Sequence, residues 1–484
     1  MKNVLRNIIT ATVLVLIFQT GVFAQVDKAI EAAKRGDYVT ALGLFKSAGK
    51  IDGYEENYWY GKTLFETGSL KDAEKYYKVA LKDDDEGWEA LKGMGDLLSY
   101  QKKYDDANNY YKKAAKANDE NISILIAQGR NLSKAGKLED AVVVLTRATT
   151  ISKNNADVYA GLGDAYFYGG AIPAALDNYS KSLQIKDNAA AHYGLGNVYF
   201  VQNKFQESVE EFQDAVQLDR KFADAYLQLG KLLYYNEDYT AALNAIEEYN
   251  KLKPGDLDGL SYKAKILYGQ RKYDEADKVL DEVLKIDPNN VVAFKYKGYV
   301  KSGQKQYDEA IVFFQKVPDD YFEPDDYIIY AETYEKLGDF PKAYATFEKG
   351  IARDPKSSRL ELEYGDSYLT NKDYSNALTH FIKAEQLGST NAIIYKGLAY
   401  FNMGQYEDAI KAFDDAIVIN DEYAITYLLR GSAKQALGDR DGAVADYQKV
   451  LELDPGNEDA QKNLEILQNM GNAPEETNKT PDGQ

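Results

Sequence analysis

A small residue, almost always alanine, returns through this chain at a nearly fixed interval, and few folds accommodate such a pattern. It stands at Ala41, Ala73, Ala107, Ala141, Ala175, Ser208, Ala242, Ala276, Ala310, Ala343, Ala377, Ala409 and Ala443, with gaps of 32 to 34 residues. Twelve places upstream lies a glycine: Gly61, Gly95, Gly129, Gly163, Gly196, Gly230, Gly298, Gly365, Gly397 and Gly431, replaced by Ala29, Ala264 and Ala331 in three copies. An aromatic falls three places before the small residue in most copies, as at Tyr38, Tyr104, Phe205, Tyr273, Phe340 and Tyr406. Proline falls twelve places after it at Pro254, Pro288, Pro355 and Pro455. A chain built this way grows by stacking like units rather than around one core. Its 484 residues therefore do not imply three separate domains.

The cleanest copy, 390–423, reads as two amphipathic helices. Ile394, Gly397, Leu398 and Phe401 share one face of the first, at spacings of three and four. Gly404 ends it, because glycine tolerates the left-handed conformation of a C-terminal cap. Ala409, Ile410, Phe413, Ala416 and Ile417 form the apolar face of the second, and Asn420 and Asp421 mark a polar turn. Glycine inside a helix costs about 1 kcal/mol relative to alanine. Its placement at Gly397, with Ala409 mid-face in the second helix, implies two helices in close approach. Enlarging Ala409 is expected to overpack that contact by roughly 1 to 3 kcal/mol.

At these residues the chain resembles the tetratricopeptide repeat, with its 34-residue period, Gly-x-x-Tyr run in the first helix, Ala and Phe in the second, and closing Pro. Thirteen copies are counted over 25–456. The departures are mild. The family's Trp early in the first helix is replaced, for example by Tyr159, His192 or Phe294, and the Phe of the second helix becomes Leu145, Ile246 or Leu280 in three copies. The resemblance implies an all-α fold, a right-handed superhelical solenoid of stacked helix-turn-helix hairpins. After Pro455, residues 457–470 place Ala460, Leu464 and Leu467 on one face, as a single capping helix would. The polar tail 471–484, with two prolines, is expected to be disordered. Pro318 and Pro324 are expected to alter the angle between the ninth and tenth copies.

The first 24 residues differ in kind. Lys2 and Arg6 precede an apolar run, Ile8 to Phe18, and Val22-Phe23-Ala24 offers small residues where a signal peptidase reads. The segment reads as a secretory signal cut after Ala24. The alternative, an uncleaved anchor, meets an apolar run of 11 residues, against the roughly 20 a spanning helix needs. The chain has no Cys, hence no disulfide, thiolate metal site or Cys nucleophile. An exported chain without disulfides suits a bacterial periplasm or exterior. Loss of Lys2 and Arg6 with the leader takes the net charge from −19 to −21. That balance argues against nucleic acid and anionic lipid and allows a basic protein partner. The acidic run Asp83 to Glu86 reads as charge favouring the helix N-terminus that follows, rather than as a calcium loop, whose alternating ligands and glycine it lacks.

No catalytic set, cofactor motif or metal motif emerges, and the chain reads as a non-enzyme. His192 and His380 lie in different copies and are assigned packing or surface roles. No glycine-rich phosphate loop follows a strand, and no His-Glu metal motif occurs.

In the family the first helices line a concave face, exposing the second, fifth, ninth, twelfth and thirteenth places of each copy. Mapped onto this chain, those places give a candidate peptide groove of Phe167, Tyr168, Tyr193, Asn197, Phe200, Lys231, Tyr234, Tyr235, Tyr268 and Tyr299. Tyrosines on successive helices suit the gripping of an extended peptide. Tyr168, Tyr193, Tyr234 and Tyr235 fit a core role equally well, whereas Tyr166, Tyr199 and Tyr400 read as core. The Lys, Asn and Arg clamp by which some family members hold chaperone C-termini is not assembled: Lys92 is followed by Asp96, Lys295 by Tyr299, and Asn197 is preceded by Tyr193. The functional expectation is an exported scaffold that binds a protein or peptide segment, in envelope-associated assembly. The alternative is a structural or self-associating solenoid without a peptide ligand.

Overall fold

The computed structural model describes residues 24–49 and 51–471. The leader, 1–24, and the polar tail, 471–484, lie outside the described residues apart from their inner boundary residues. Helix follows helix, and no strand occurs among the described residues. The chain divides into two units, Met1–Tyr262 and Lys263–Gln484.

In the first unit, Tyr54–Glu66 packs on Leu70–Asp83, Trp88–Tyr100 on Tyr104–Ala117, and so on through Ala223–Tyr235 on Tyr239–Leu252. The repeated glycine explains the pairing. The large side chain four places beyond the small alanine sits directly on the glycine of its own copy. A Cβ added at Gly61 would stand 2.9 Å from the Tyr77 ring, where no real Cβ fits. The same ring also meets the next copy: a Cβ at Gly93 would lie 2.7 Å from it. One buried ring therefore locks both the hairpin and the stack. Tyr179 does the same between Gly163 and Gly194, and Leu145 between Gly129 and Gly161. Rings so placed are fully buried, and truncating one costs about 3 to 5 kcal/mol.

The turn inside each hairpin uses one conformation. Gly404 has φ 75°, and its N–H donates to the carbonyl of Phe401 at 3.0 Å while Gln405 N–H donates to Tyr400 O at 2.9 Å. This closes the helix Asn391–Asn402. Six copies put a side chain at that left-handed place: Lys102, Asn203, Glu237, Arg271, Lys305 and Lys372, with φ between 59° and 63°. Each such residue is strained by about 1 to 2 kcal/mol.

The second unit repeats the scheme, with Phe314 against Gly298, Phe381 against Gly365, Phe413 against Gly397 and Tyr447 against Gly431. One copy breaks stride. The helix Tyr307–Phe314 has 8 residues where the other second helices of this unit have 13 or 14. Pro318 and Pro324 deny the helix its hydrogen bonds, and the chain turns through a short 3-10 segment, Asp319–Tyr321. Phe322 then drops into the core against Phe314 and Tyr327. At the far end, the helix Glu458–Gly471 buries Ala460, Leu464 and Leu467 against Tyr447 and Val450.

Changing Lys372 to glycine relieves the left-handed strain at φ 63°. The unfolding midpoint should rise, by about 0.5 to 1 kcal/mol of stability once glycine's extra chain entropy is subtracted. The same change at the exposed, mid-helix Lys411 should lower it by about 1 kcal/mol. Thermal melts of the two variants should move in opposite directions.

Candidate binding groove

The groove is built from the first helix of each hairpin. Within the first unit, a cavity of about 520 Å³ is lined by Lys92, Asp96, Tyr100, Ile126, Arg130 and Lys134, among others. A second, of about 170 Å³, is lined by Arg130, Lys134, Asp164, Phe167, Tyr168, Tyr193, Asn197 and Asp224, among others. Arg130 and Lys134 form the wall they share, so the two are neighbouring stretches of one surface.

The buried rings that lock the stack also set the charges here. Tyr111 Oη donates to Asp96 Oδ1 at 2.8 Å, and Tyr179 Oη donates to Asp164 Oδ1 at 2.9 Å. Each carboxylate takes a cation on its other oxygen: Lys92 Nζ lies 2.8 Å from Asp96 Oδ2, and Arg130 Nε lies 3.1 Å from Asp164 Oδ2. Burial pushes the Asp164 carboxyl up, against the pull of Arg130, Tyr179 and Lys134. Two donors are left over. Arg130 Nη2 is buried without a hydrogen-bond partner, and Lys134 forms no ion pair or hydrogen bond among the described residues. The unit curls far enough for Lys253 Nζ to sit 5.5 Å from the ring of Tyr100, so the seventh copy reaches back to the third.

Of the residues singled out from the sequence, Phe167, Tyr168, Tyr193 and Asn197 line the smaller cavity together. Tyr168 is 50% exposed, whereas Tyr193 leans on Phe212 and Phe222, with ring centroids 5.7 and 4.9 Å away. Asn197 Nδ2 donates to the Tyr193 carbonyl at 3.0 Å. Phe200 is exposed and rests edge-on against Phe205 at 5.9 Å. Lys231, Tyr234 and Tyr235 gather with Tyr262 instead. Lys231 Nζ lies 5.0 Å from the Tyr262 ring, Tyr234 meets that ring at 6.0 Å, and the hydroxyls of Tyr235 and Tyr262 are 3.3 Å apart. Tyr235 is 66% exposed. Tyr268 and Tyr299 belong to the second unit. Tyr299 is only 4% exposed, because its ring folds back onto Phe314 at 5.5 Å and Tyr268 at 5.7 Å. It offers nothing to a ligand. Tyr166, Tyr199 and Tyr400 pack against core clusters. Sequence reasoning left out Tyr100, Arg130 and Lys134; the same place rule, carried to the third and fourth copies, finds all three.

The second unit carries a different charge pattern on its first helices. Burial pushes the carboxyls of Glu335, Glu363 and Asp366 up, and the charge of Asp366 raises the other two further. A carboxyl raised on folding resists ionisation in the folded state. It costs no stability below the ordinary carboxylate range, and that cost grows as pH climbs through it. The double change Glu335→Gln and Asp366→Asn should therefore raise the melting temperature at pH 7. The gain should disappear by about pH 4, near the unperturbed carboxylate values.

Comparison with known proteins agrees with this architecture. Family models of the TPR repeat match residues 163–203, 196–236 and 397–438, and those of the tetratricopeptide repeat match 227–291, 331–392 and 424–457. RNA polymerase II-associated protein 3 of Xenopus tropicalis is 35% identical over 119 residues, 24% of this chain and 18% of that protein. Heat shock protein STI1 of Saccharomyces cerevisiae is 32% identical over 106 residues, 21% of this chain and 18% of that one. The chain thus spans less than a fifth of the length of these relatives. Among solved structures, YrrB, a TPR protein with an unusual peptide-binding site, is 24% identical at a TM-score of 0.30, over 39% of this chain and 97% of that one. Taken together, the family models cover residues 163–291, 331–392 and 397–457, just over half of the sequence, and the chain belongs to the tetratricopeptide-repeat family.

Proposed function

We propose that the chain is a binding scaffold, not an enzyme, and that the concave surface of its first unit takes up an extended protein segment. The observation that carries this reading is the adjoining pair of cavities, joined at Arg130 and Lys134. Phe167, Tyr168 and Tyr193 supply rigid apolar surface. Lys134 supplies a donor for a carboxylate, while Asp157 and Asp224 supply acceptors for a cation on the same segment. Asp96 and Asp164 are already paired, so they shape the groove more than they attract the ligand.

The relatives support binding of this kind. The curated matches include Hsp70-Hsp90 organizing proteins of wheat and Arabidopsis thaliana. We further propose that thirteen copies form the array, that the chain is exported after cleavage behind Ala24, and that it serves envelope-associated assembly with a partner that carries basic side chains. The leader pattern at Lys2, Arg6 and Val22-Phe23-Ala24 supports export.

A displayed library of random peptides, selected on the purified chain, tests the groove. Peptides should be enriched, and Tyr168→Ala combined with Lys134→Glu should weaken them at least tenfold, about 1.4 kcal/mol. No enrichment, or equal binding by the variant, would refute the site. N-terminal sequencing of the protein from its native host tests export. The expected first residue is Gln25, and a chain that begins at Met1 refutes cleavage.

A further inference from the structure

The sixth copy holds a side-chain cluster that the groove does not use. His192, on the helix Ala189–Val201, faces Glu211 and Asp214 on the paired helix Phe205–Leu218. His192 Nδ1 lies 2.6 Å from Glu211 Oε2 and 3.9 Å from Asp214 Oδ2, and one ligand atom from each of the three residues falls within 4.8 Å of the others. Behind the ring, Nε2 lies 2.8 Å from Asp187 Oδ1, in the turn before the helix. A carboxylate there accepts from Nε2–H, which aims Nδ1 at Glu211 and Asp214. The side chains of His192 and Glu211 are 13% and 20% exposed, and that of Asp214 is 56% exposed. The inner two are held in place, and the outer side is open to water.

We propose that this cluster is a divalent-cation site of the zinc class. One imidazole nitrogen and two carboxylate oxygens, from the two helices of a single hairpin, are donors zinc accepts, and water completes a four-coordinate shell. Ligand bonds of about 2.0 to 2.2 Å require the Glu211 carboxylate to draw back slightly and that of Asp214 to close in. The cation takes the place of the proton on Nδ1, which leaves to solvent. The bound ion then staples the hairpin and favours the folded form by mass action.

The eleventh copy, in the second unit, supplies an internal contrast. Glu361 and His380 occupy the same two repeat places with the residue types exchanged, again 19 residues apart and 2.6 Å between Nδ1 and Oε2. There, however, Lys383 stands where the sixth copy has Asp214, and Lys356 where it has Asp187. Lys383 Nζ lies 4.0 Å from Glu361 Oε1. Two lysines in place of two carboxylates leave a His–Glu contact without the further anionic oxygens a metal needs. The difference between the copies is therefore concentrated in the residues a cation needs.

The test is titration of the full-length, chelator-stripped chain with zinc alone, followed by competition with a chromophoric chelator and by thermal melting. One zinc per chain should bind, and it should raise the unfolding midpoint. His192→Gln and Asp214→Lys should each weaken that binding at least tenfold, and Asp214→Lys, at an exposed position, should keep the metal-free helical spectrum and melt. His380→Gln should bind as the parent does. Failure to bind a stoichiometric zinc overturns the proposal. So does unchanged binding in Asp214→Lys and His192→Gln, or loss of binding in His380→Gln.

Discussion

A bulky side chain seated where a glycine has no Cβ is the contact on which the rest of this structure depends. Tyr77 over Gly61 and Gly93 is the clearest case, and Phe413 over Gly397 repeats it in the second unit. The helix pays for its glycine with about 1 kcal/mol of propensity and recovers more through a buried ring. Because a ring such as Tyr77, Tyr179 or the side chain Leu145 touches two successive copies, order in one hairpin favours order in the next. Nearest-neighbour coupling of this kind is how repeat proteins gain stability without a single core.

The same contact reaches the binding surface. Two of the seated rings are tyrosines whose hydroxyls fix a carboxylate, Asp96 through Tyr111 and Asp164 through Tyr179, whereas the hydroxyl of Tyr447 donates to Gln435 Oε1. Those carboxylates in turn orient Lys92 and Arg130. The groove's charges are thus attached to the core rather than to loops, which keeps the surface in place before any ligand arrives. Phe212 and Phe413 fill the same seat without a hydroxyl, so the sixth and twelfth copies lack that link.

The stacked helical hairpins were legible because their phase is written in small residues, and small residues at fixed spacing have few structural uses. The binding surface was less legible. Place within a repeat tells which helix face a residue lies on, but not whether a large ring on that face stays out. Tyr168 stays out; Tyr299, next to its mid-helix glycine, folds back onto Phe314 because that ring lies within 5.5 Å. The prolines at 318 and 324 marked an irregular junction, yet nothing in the sequence said that Phe322 would fill the space left by a helix of 8 residues. The His192 cluster was invisible for a different reason. Its members are 19 and 22 residues apart, and that offset acquires meaning only once the two helices are known to lie side by side.

A double-mutant cycle on Gly397 and Phe413 tests the central contact most directly. With Phe413 present, Gly397→Ala forces a methyl against the ring, 2.5 Å from its Cε1, and should destabilise the chain by at least about 1 kcal/mol. In a Phe413→Ala background the ring is gone, and the same change should stabilise, because alanine is the better helix former by about 1 kcal/mol. A reversal of sign between the two backgrounds is what seated rings predict. An effect of the same sign and size in both would mean that the glycine and the ring do not meet, and the account of the stack would fail with them.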